Sequence, residues 1–344
     1  MRNKLISLLK KSTITKKVYY KLTDKVPFIE NLLSLYRYSK WMDQYRAQLV
    51  DTKEDFYFSK YKQLCAKSIV NHNRIGLQRP VIIMTTYNDH DIIEAILNEN
   101  DRLGYDQIVI DNWSTDGTWE IINQAKTGLK SILDIMQYPF DGPTEHYQWK
   151  AMLDLKSEIA LNYKGRWILH QDSDEITISP LANSNIAVIL KSIEELGYNC
   201  ISLRMLDFAP IDNSFTRGNP VEHFKYYRIS NIPSYGLQNK IWLQGETKVD
   251  LSHAGGHDVA FEGRTIFPIR LPRFHYSIRS VEHAKSKYSP KRLTRSESER
   301  TTLGWHTHVE VKLTEEVIID KSKLIEFKFS DLYSEKFRWF MHHD

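Results

Sequence analysis

His170-Gln171-Asp172-Ser173-Asp174-Glu175 follows directly on the apolar run Trp167-Ile168-Leu169. Two carboxylates one residue apart, at the mouth of a sheet, can converge on one divalent ion, and hard oxygen ligands select Mn²⁺ or Mg²⁺. Such an ion neutralises a diphosphate. The other use of the same residues is an acidic turn or helix cap, because an Asp-x-Asp string arises often by chance. Two further apolar runs end in polar loops. Val81-Ile82-Ile83-Met84 leads into Thr85-Thr86-Tyr87-Asn88-Asp89, and Gln107-Ile108-Val109-Ile110 into Asp111-Asn112-Trp113-Ser114 and Thr115-Asp116-Gly117-Thr118. The first loop has no glycine, so neither GxGxxG nor a Walker A turn is there to cradle a pyrophosphate. Asp111 is placed to hold a ribose hydroxyl or a base N–H. Its alternative is an Asx-type turn with Ser114, and for Asp116 and Thr118 capping of the next helix is the expectation.

These loops need elements to position them. Short continuous apolar runs bounded by Pro or Gly suit buried parallel strands. The first spans 81–84. The spacing of Ile92, Ile93, Ile96 and Leu97 predicts a helix from about Asp91 to Leu103, capped by Asn88 and ended by Gly104. Strands at 107–110, 132–136, 166–169 and 200–206 alternate with helices from Thr118, over 144–160 and over 185–196. That alternation predicts a mostly parallel sheet with helices on both faces and ligands at the carboxyl ends of its strands. Ahead of it, residues 28–75 lack glycine and show helical spacing, which predicts about two helices. Past residue 207 the texture is irregular. The expected organisation is a basic N-terminal segment with helices over 1–78, a catalytic domain over 79–290, and a C-terminal extension over 291–344 packed on the core.

The 344 residues carry a net charge of +4, are 41% hydrophobic and hold two cysteines, Cys65 and Cys200. This composition excludes a disordered or collagen-like chain and a disulfide scaffold. No apolar run reaches the ~18 residues of a membrane span. Residues 1–25 hold eight basic groups against one acid, Asp24. The apolar stretch there is too short for a cleaved signal. It reads as a solvated tail or as a basic segment lying on an anionic membrane. The remaining body is net acidic and shows no nucleic-acid module, so a nucleic-acid partner is not expected.

Taken in order, VIIMTTYNDHDIIEAILNE, YDQIVIDNWSTDGTWEII and RWILHQDSDE resemble the family 2-type bacterial nucleotide-sugar glycosyltransferases with a GT-A fold. Those enzymes commonly read TxYN, then DDxSxDGT, then DxD; here Asn112 stands where the second segment often has Asp. GGHDVAFEGRTIFP, RFHYSIRSVEHAKSK and GWHTHVE are similar to a bacterial subgroup. The resemblance covers roughly residues 80–310. It implies a three-layer αβα sandwich, a nucleoside diphosphate sugar donor, Mn²⁺ or Mg²⁺, and a saccharide or lipid-linked saccharide acceptor. It also implies inversion and work in the cytoplasm or at the inner face of the membrane. Carried over, Thr85, Tyr87, Asp111 and Asp172 meet the nucleotide sugar, Asp174 and His275 hold the metal, and Asp258 is the catalytic base.

The downstream assignments compete with neighbours. Glu246 or Glu262 could be the base instead of Asp258, and His257 competes with His275 for the metal. His253 and His257 are four apart, but Ala254-Gly255-Gly256 opposes a helix and no Glu follows His253, so a zinc protease is not expected. His306 and His308 would share one face of an extended segment. Arg273 and Arg279 could bind diphosphate or form surface ion pairs. The other function classes are a non-catalytic saccharide-binding or assembly protein on the same fold, and a sugar-nucleotide nucleotidyltransferase. The latter usually needs the basic, glycine-rich first loop that TTYND lacks.

Overall fold

Six consecutive residues, Val81–Thr86, form the first strand, β1, and all six are buried. Burial on both sides follows from the alternation of its side chains. Ile82 and Met84 enter one apolar cluster, Val81 and Ile83 the other. A strand apolar on both faces must be covered on both, so β1 predicts the layers around it. The computed structural model describes residues 77–178, 186–229, 238–288, 294–295 and 317–329.

On one face of the sheet lie α1 (Ile93–Leu103), α2 (Thr118–Gly128) and α4 (Ile186–Glu195). On the other lies α3 (Trp149–Ala160). The strands between them are β2 (Asp106–Asp111), β3 (Ile132–Gln137), β5 (Trp167–Asp172), β6 (Glu175–Thr177), β7 (Cys200–Phe208), β8 (Tyr226–Arg228), β9 (Gln238–Leu243), β10 (Ile266–His275) and β12 (Ile325–Glu326). The short strands β4 (His146–Tyr147) and β11 (Thr294–Arg295) pair separately, and α5 (Pro220–His223) and α6 (Val281–Lys287) are short helices.

The ten-stranded sheet has the order β12-β8-β7-β9-β5-β1-β2-β3, with β10 pairing β6 and β7 off that path. β1 is parallel to β2 and β5, β2 to β3, and β7 to β10, while β6, β8 and β9 run against their neighbours. This is a mixed α/β, GT-A-like αβα fold with a mostly parallel central sheet.

Two local expectations are corrected. Asn88 does not cap α1. It sits at φ 57 and its side-chain oxygen accepts from Thr115 N–H at 2.8 Å, while the carbonyl of Asp89 takes the N–H groups of Ile92 and Ile93. Asn88 therefore ties two strand-end loops together instead of starting a helix. Nor does the helix predicted from 144 start there: His146 and Tyr147 form β4 against β11, and α3 begins at Trp149. The end of α1 is as expected, with Gly104 at φ 90, a conformation that costs glycine little. The basic segment, the helices predicted over 28–75, and His306 and His308 lie outside the described residues. Among the described residues no helix is long and apolar enough to cross a membrane.

Candidate active site

β1, β2 and β5 end together, because Thr85 pairs with Asp172 and Thr86 with Asp111. Parallel register alone thus brings three of the sequence-predicted residues to one edge. Thr85 Oγ1 donates to Asp172 Oδ1 at 2.9 Å. Tyr87 follows on the same loop and is half-buried. Asp111 is fully buried and makes the turn that was its alternative reading. It accepts from Ser114 N–H at 3.0 Å, from the Ser114 hydroxyl, and from Gln137 at 3.2 Å. Burial nonetheless pushes its pKa above the usual carboxylate value. Asp116 accepts from the N–H of Thr118 at 3.1 Å, but the N-cap position of α2 is Gly117, without a side-chain cap, so neither Asp116 nor Thr118 is the capping residue.

Asp174 sits in the tight turn between β5 and β6, and its carbonyl accepts from Tyr276 N–H at 2.8 Å. That bond pins the turn to the end of β10. Register then does the rest: His275 of β10 lies opposite Glu175 of β6 and opposite Asp207 of β7. His275 Nδ1 is 2.9 Å from Asp207 Oδ1, and its Nε2 is 3.8 Å from Asp174 Oδ2. A ring that donates Nδ1–H to a carboxylate keeps its Nε2 lone pair for a ligand when neutral. Of the two competing histidines, it is His275 that reaches Asp174.

Electrostatics reinforce this cluster. Burial opposes the charged form of Asp174, but Lys287, His275 and Arg279 hold its pKa far below the ordinary range. Burial lowers the His275 pKa, yet the Asp174 charge and the Asp207 hydrogen bond outweigh it and leave it raised. The two facing atoms are close enough that both side chains would reach one divalent cation, Mn²⁺ or Mg²⁺. Among the described residues no group of three His, Cys, Asp or Glu side chains could hold a metal. Asp174 and His275 are two such side chains brought together, and they would hold a cation only if it took further ligands from elsewhere. A groove lined by Asp207, Phe208, Arg228, Ser277, Tyr288 and Ile319 shares Asp207 with this cluster.

Asp258 is held differently. Its Oδ1 accepts from Asn239 and Arg264, each at 2.7 Å, and its Oδ2 lies 3.1 Å from His253 Nε2. None of these bonds reaches Asp172, Asp174 or His275. Burial raises its pKa, but the His253 hydrogen bond and the Arg264 charge more than offset that and leave it lowered. Of these partners His253, in an exposed turn, is the most accessible. Glu246 pairs with Lys164 beside Gln244, whose N–H binds Arg166 ahead of β5. It therefore sits at the amino end of β5, opposite the end where Asp172 lies. Glu262 is exposed, next to Gly263, whose carbonyl accepts from Asn199 ahead of β7.

Both arginines are corrected. Arg273 and Arg279 are completely buried, so neither is a surface ion-pair partner. Arg273 binds Glu175 at 2.7 Å and the His170 carbonyl at 3.0 Å. Arg279 binds Asp89 at 2.9 Å and both oxygens of Asp91, at 2.6 and 2.8 Å. Asp89 also accepts from the Ser173 hydroxyl. Asp89 thus ties the Asp-x-Asp turn to the first loop, and Arg279, which also donates to the Tyr276 carbonyl at 3.3 Å, holds Asp89 and Asp91 in place.

Sequence reasoning missed three residues. Asp207 lies one residue before the end of β7, and an acid near a strand end was a usable signal. Lys156 occupies a buried helix face with Trp149, Met152, Leu153 and Ala160, and a lysine at that spacing was visible as an anomaly. It donates to Thr85 Oγ1 at 3.2 Å, meets His170 Nδ1 at 2.9 Å and donates to the Gln171 carbonyl at 3.1 Å. Burial brings its pKa down to about 7. Lys287 gave no local signal at all.

No protein-family model matches the chain, and no curated protein matches it. Among solved structures, one that matches is a mannosyltransferase, PcManGT, from Pyrobaculum calidifontis, in complex with GDP-Man and Mn²⁺. It is 17% identical, with a TM-score of 0.28; the match covers 44% of this chain and spans 46%, under half, of that one. The fold assignment stands on the strand order and the packing described above, not on this likeness.

Proposed function

We propose that the protein is a metal-dependent, family 2-like glycosyltransferase. It moves a sugar from a nucleoside diphosphate donor to a hydroxyl of a bacterial surface polysaccharide or glycolipid, with inversion. The observation that carries this reading is the convergence of Asp174 Oδ2 and His275 Nε2, 3.8 Å apart, with Asp207 steadying the ring. Mn²⁺ or Mg²⁺ bound by those two side chains supplies stabilisation of the charge growing on the leaving diphosphate. Thr85, Tyr87, Asp111 and Asp172 are assigned to the nucleotide sugar. Asp111 must give up part of its hold on Ser114 to serve there. Asp258 is assigned as the base that takes the acceptor's proton. Its Asn variant should slow the chemical step and leave donor affinity largely intact.

The test is release of nucleoside diphosphate from a panel of sugar nucleotides with Mn²⁺. Asp174→Asn should lower that rate by at least about 10²-fold while its melting temperature stays near wild type. Undiminished turnover in the variant would remove Asp174 from the mechanism. Pyrophosphate released from a nucleoside triphosphate and a sugar phosphate would point to nucleotidyl transfer instead.

A further inference from the structure

Lys287 Nζ lies 3.0 Å from Asp174 Oδ2, the same oxygen that faces His275 Nε2 at 3.8 Å. It also donates to the Ser277 carbonyl at 2.8 Å. The lysine is the last residue of α6 and a quarter exposed. The start of α6 is fixed: Ser280 Oγ accepts from His283 N–H at 3.1 Å, and the adjacent Arg279 is bound to Asp89 and Asp91. One end of the helix is anchored in the core, while the other extends an ammonium on a four-carbon stem to the metal-binding carboxylate. A divalent ion and an ammonium on one carboxylate oxygen repel each other, and an ammonium offers no lone pair to the ion.

We propose that Lys287 is a tethered cation that occupies the place of the divalent ion at Asp174 in the donor-free protein, and that the ion arriving with a nucleoside diphosphate displaces it. This rests on the metal-dependent reading above. Lysine and metal compete for one oxygen, so the free protein binds metal weakly. The diphosphate tilts the exchange in two ways. It brings ligands that complete the metal's shell, and it gives the displaced ammonium a new anion to bind. Metal and donor therefore bind with positive coupling, and the coupling resides in Lys287.

Mn²⁺ binding to the full chain, followed by the loss of the free-ion electron paramagnetic resonance signal, tests this without turnover. If the lysine holds the oxygen about nine-tenths of the time, Lys287→Met should bind Mn²⁺ about tenfold more tightly than wild type without nucleotide. Lys287→Arg, which keeps the charge, should stay near wild type. Adding GDP or UDP should tighten Mn²⁺ binding in wild type and much less in Lys287→Met. Equal or weaker Mn²⁺ affinity in a Lys287→Met protein with a wild-type melting curve overturns the exchange and leaves the metal reading standing. Absence of Mn²⁺ binding in both proteins, with and without nucleotide, overturns the metal reading and the exchange together.

Discussion

At the scale of single residues, the site is a set of charges held where water would ordinarily hold them. Lys156 shows the cost. Its ammonium is fully buried and is placed against Thr85, the residue that in turn donates to Asp172. Burial lowers its pKa from 10.5 to about 7. Across the interval between those values the unfolded chain keeps a proton that the folded chain has shed, so stability rises with pH there. Lys156→Met lacks the titration. Urea unfolding should therefore shift the stability difference in favour of wild type, by up to about 1.4 kcal/mol per pH unit, as pH rises from about 7.5 to 9.5. A pH-independent difference would mean that Lys156 stays charged in the folded protein throughout that range.

At the scale of elements, the site depends on how turns are pinned. The β5–β6 turn is held from β10 by the Tyr276–Asp174 bond and from the first loop by Ser173 and Asp89. On the other face of the sheet, the loop before Asp258 approaches α3 closely. Trp149 Nε1 donates to the Gly255 carbonyl at 2.9 Å. Gly256 has φ +87, and a Cβ there would stand 2.9 Å from His170 Nε2, 3.0 Å from Leu153 Cδ2 and 3.2 Å from Trp149 Cζ2. Both the backbone conformation and the space demand glycine. Gly256→Ala should cost about 2–4 kcal/mol, from left-handed strain together with overpacking. Chemical denaturation measures it directly, and a loss under ~0.5 kcal/mol would show that the loop moves away freely.

At the scale of the whole molecule, distant parts of the chain complete the sheet. β12 pairs with β8, and Phe327 is buried against Phe208, Phe274 and Tyr227. Residues 325–327 thus add a strand and a core aromatic to the sheet. The basic segment over 1–25, outside the described residues, is proposed as a peripheral contact with anionic membrane. Its eight basic groups and one acid should give about 1 kcal/mol per group close to such a surface at low salt. Deleting residues 1–25 should then reduce co-sedimentation with phosphatidylserine vesicles, and high salt should reduce it in the intact chain. Equal partitioning of both proteins would leave the segment a solvated tail.

The sequence by itself determined the alternating elements, because apolar runs such as Val81–Met84 and the spacing of Ile92, Ile93, Ile96 and Leu97 encode burial locally. It also fixed the three polar strand ends, since parallel strands that begin in register end in register. The start of α1, the use of Asn88, and the burial of Arg273 and Arg279 were not legible. Each depends on what a distant segment offers: Thr115 for Asn88, Glu175 for Arg273, Asp89 and Asp91 for Arg279. Only the tertiary structure brought His275 toward Asp174, backed it with Asp207 and set Lys287 against Asp174. A hydrogen bond or ion pair between residues a hundred positions apart leaves no periodic trace in the chain, so such partners are decided by strand order and register alone.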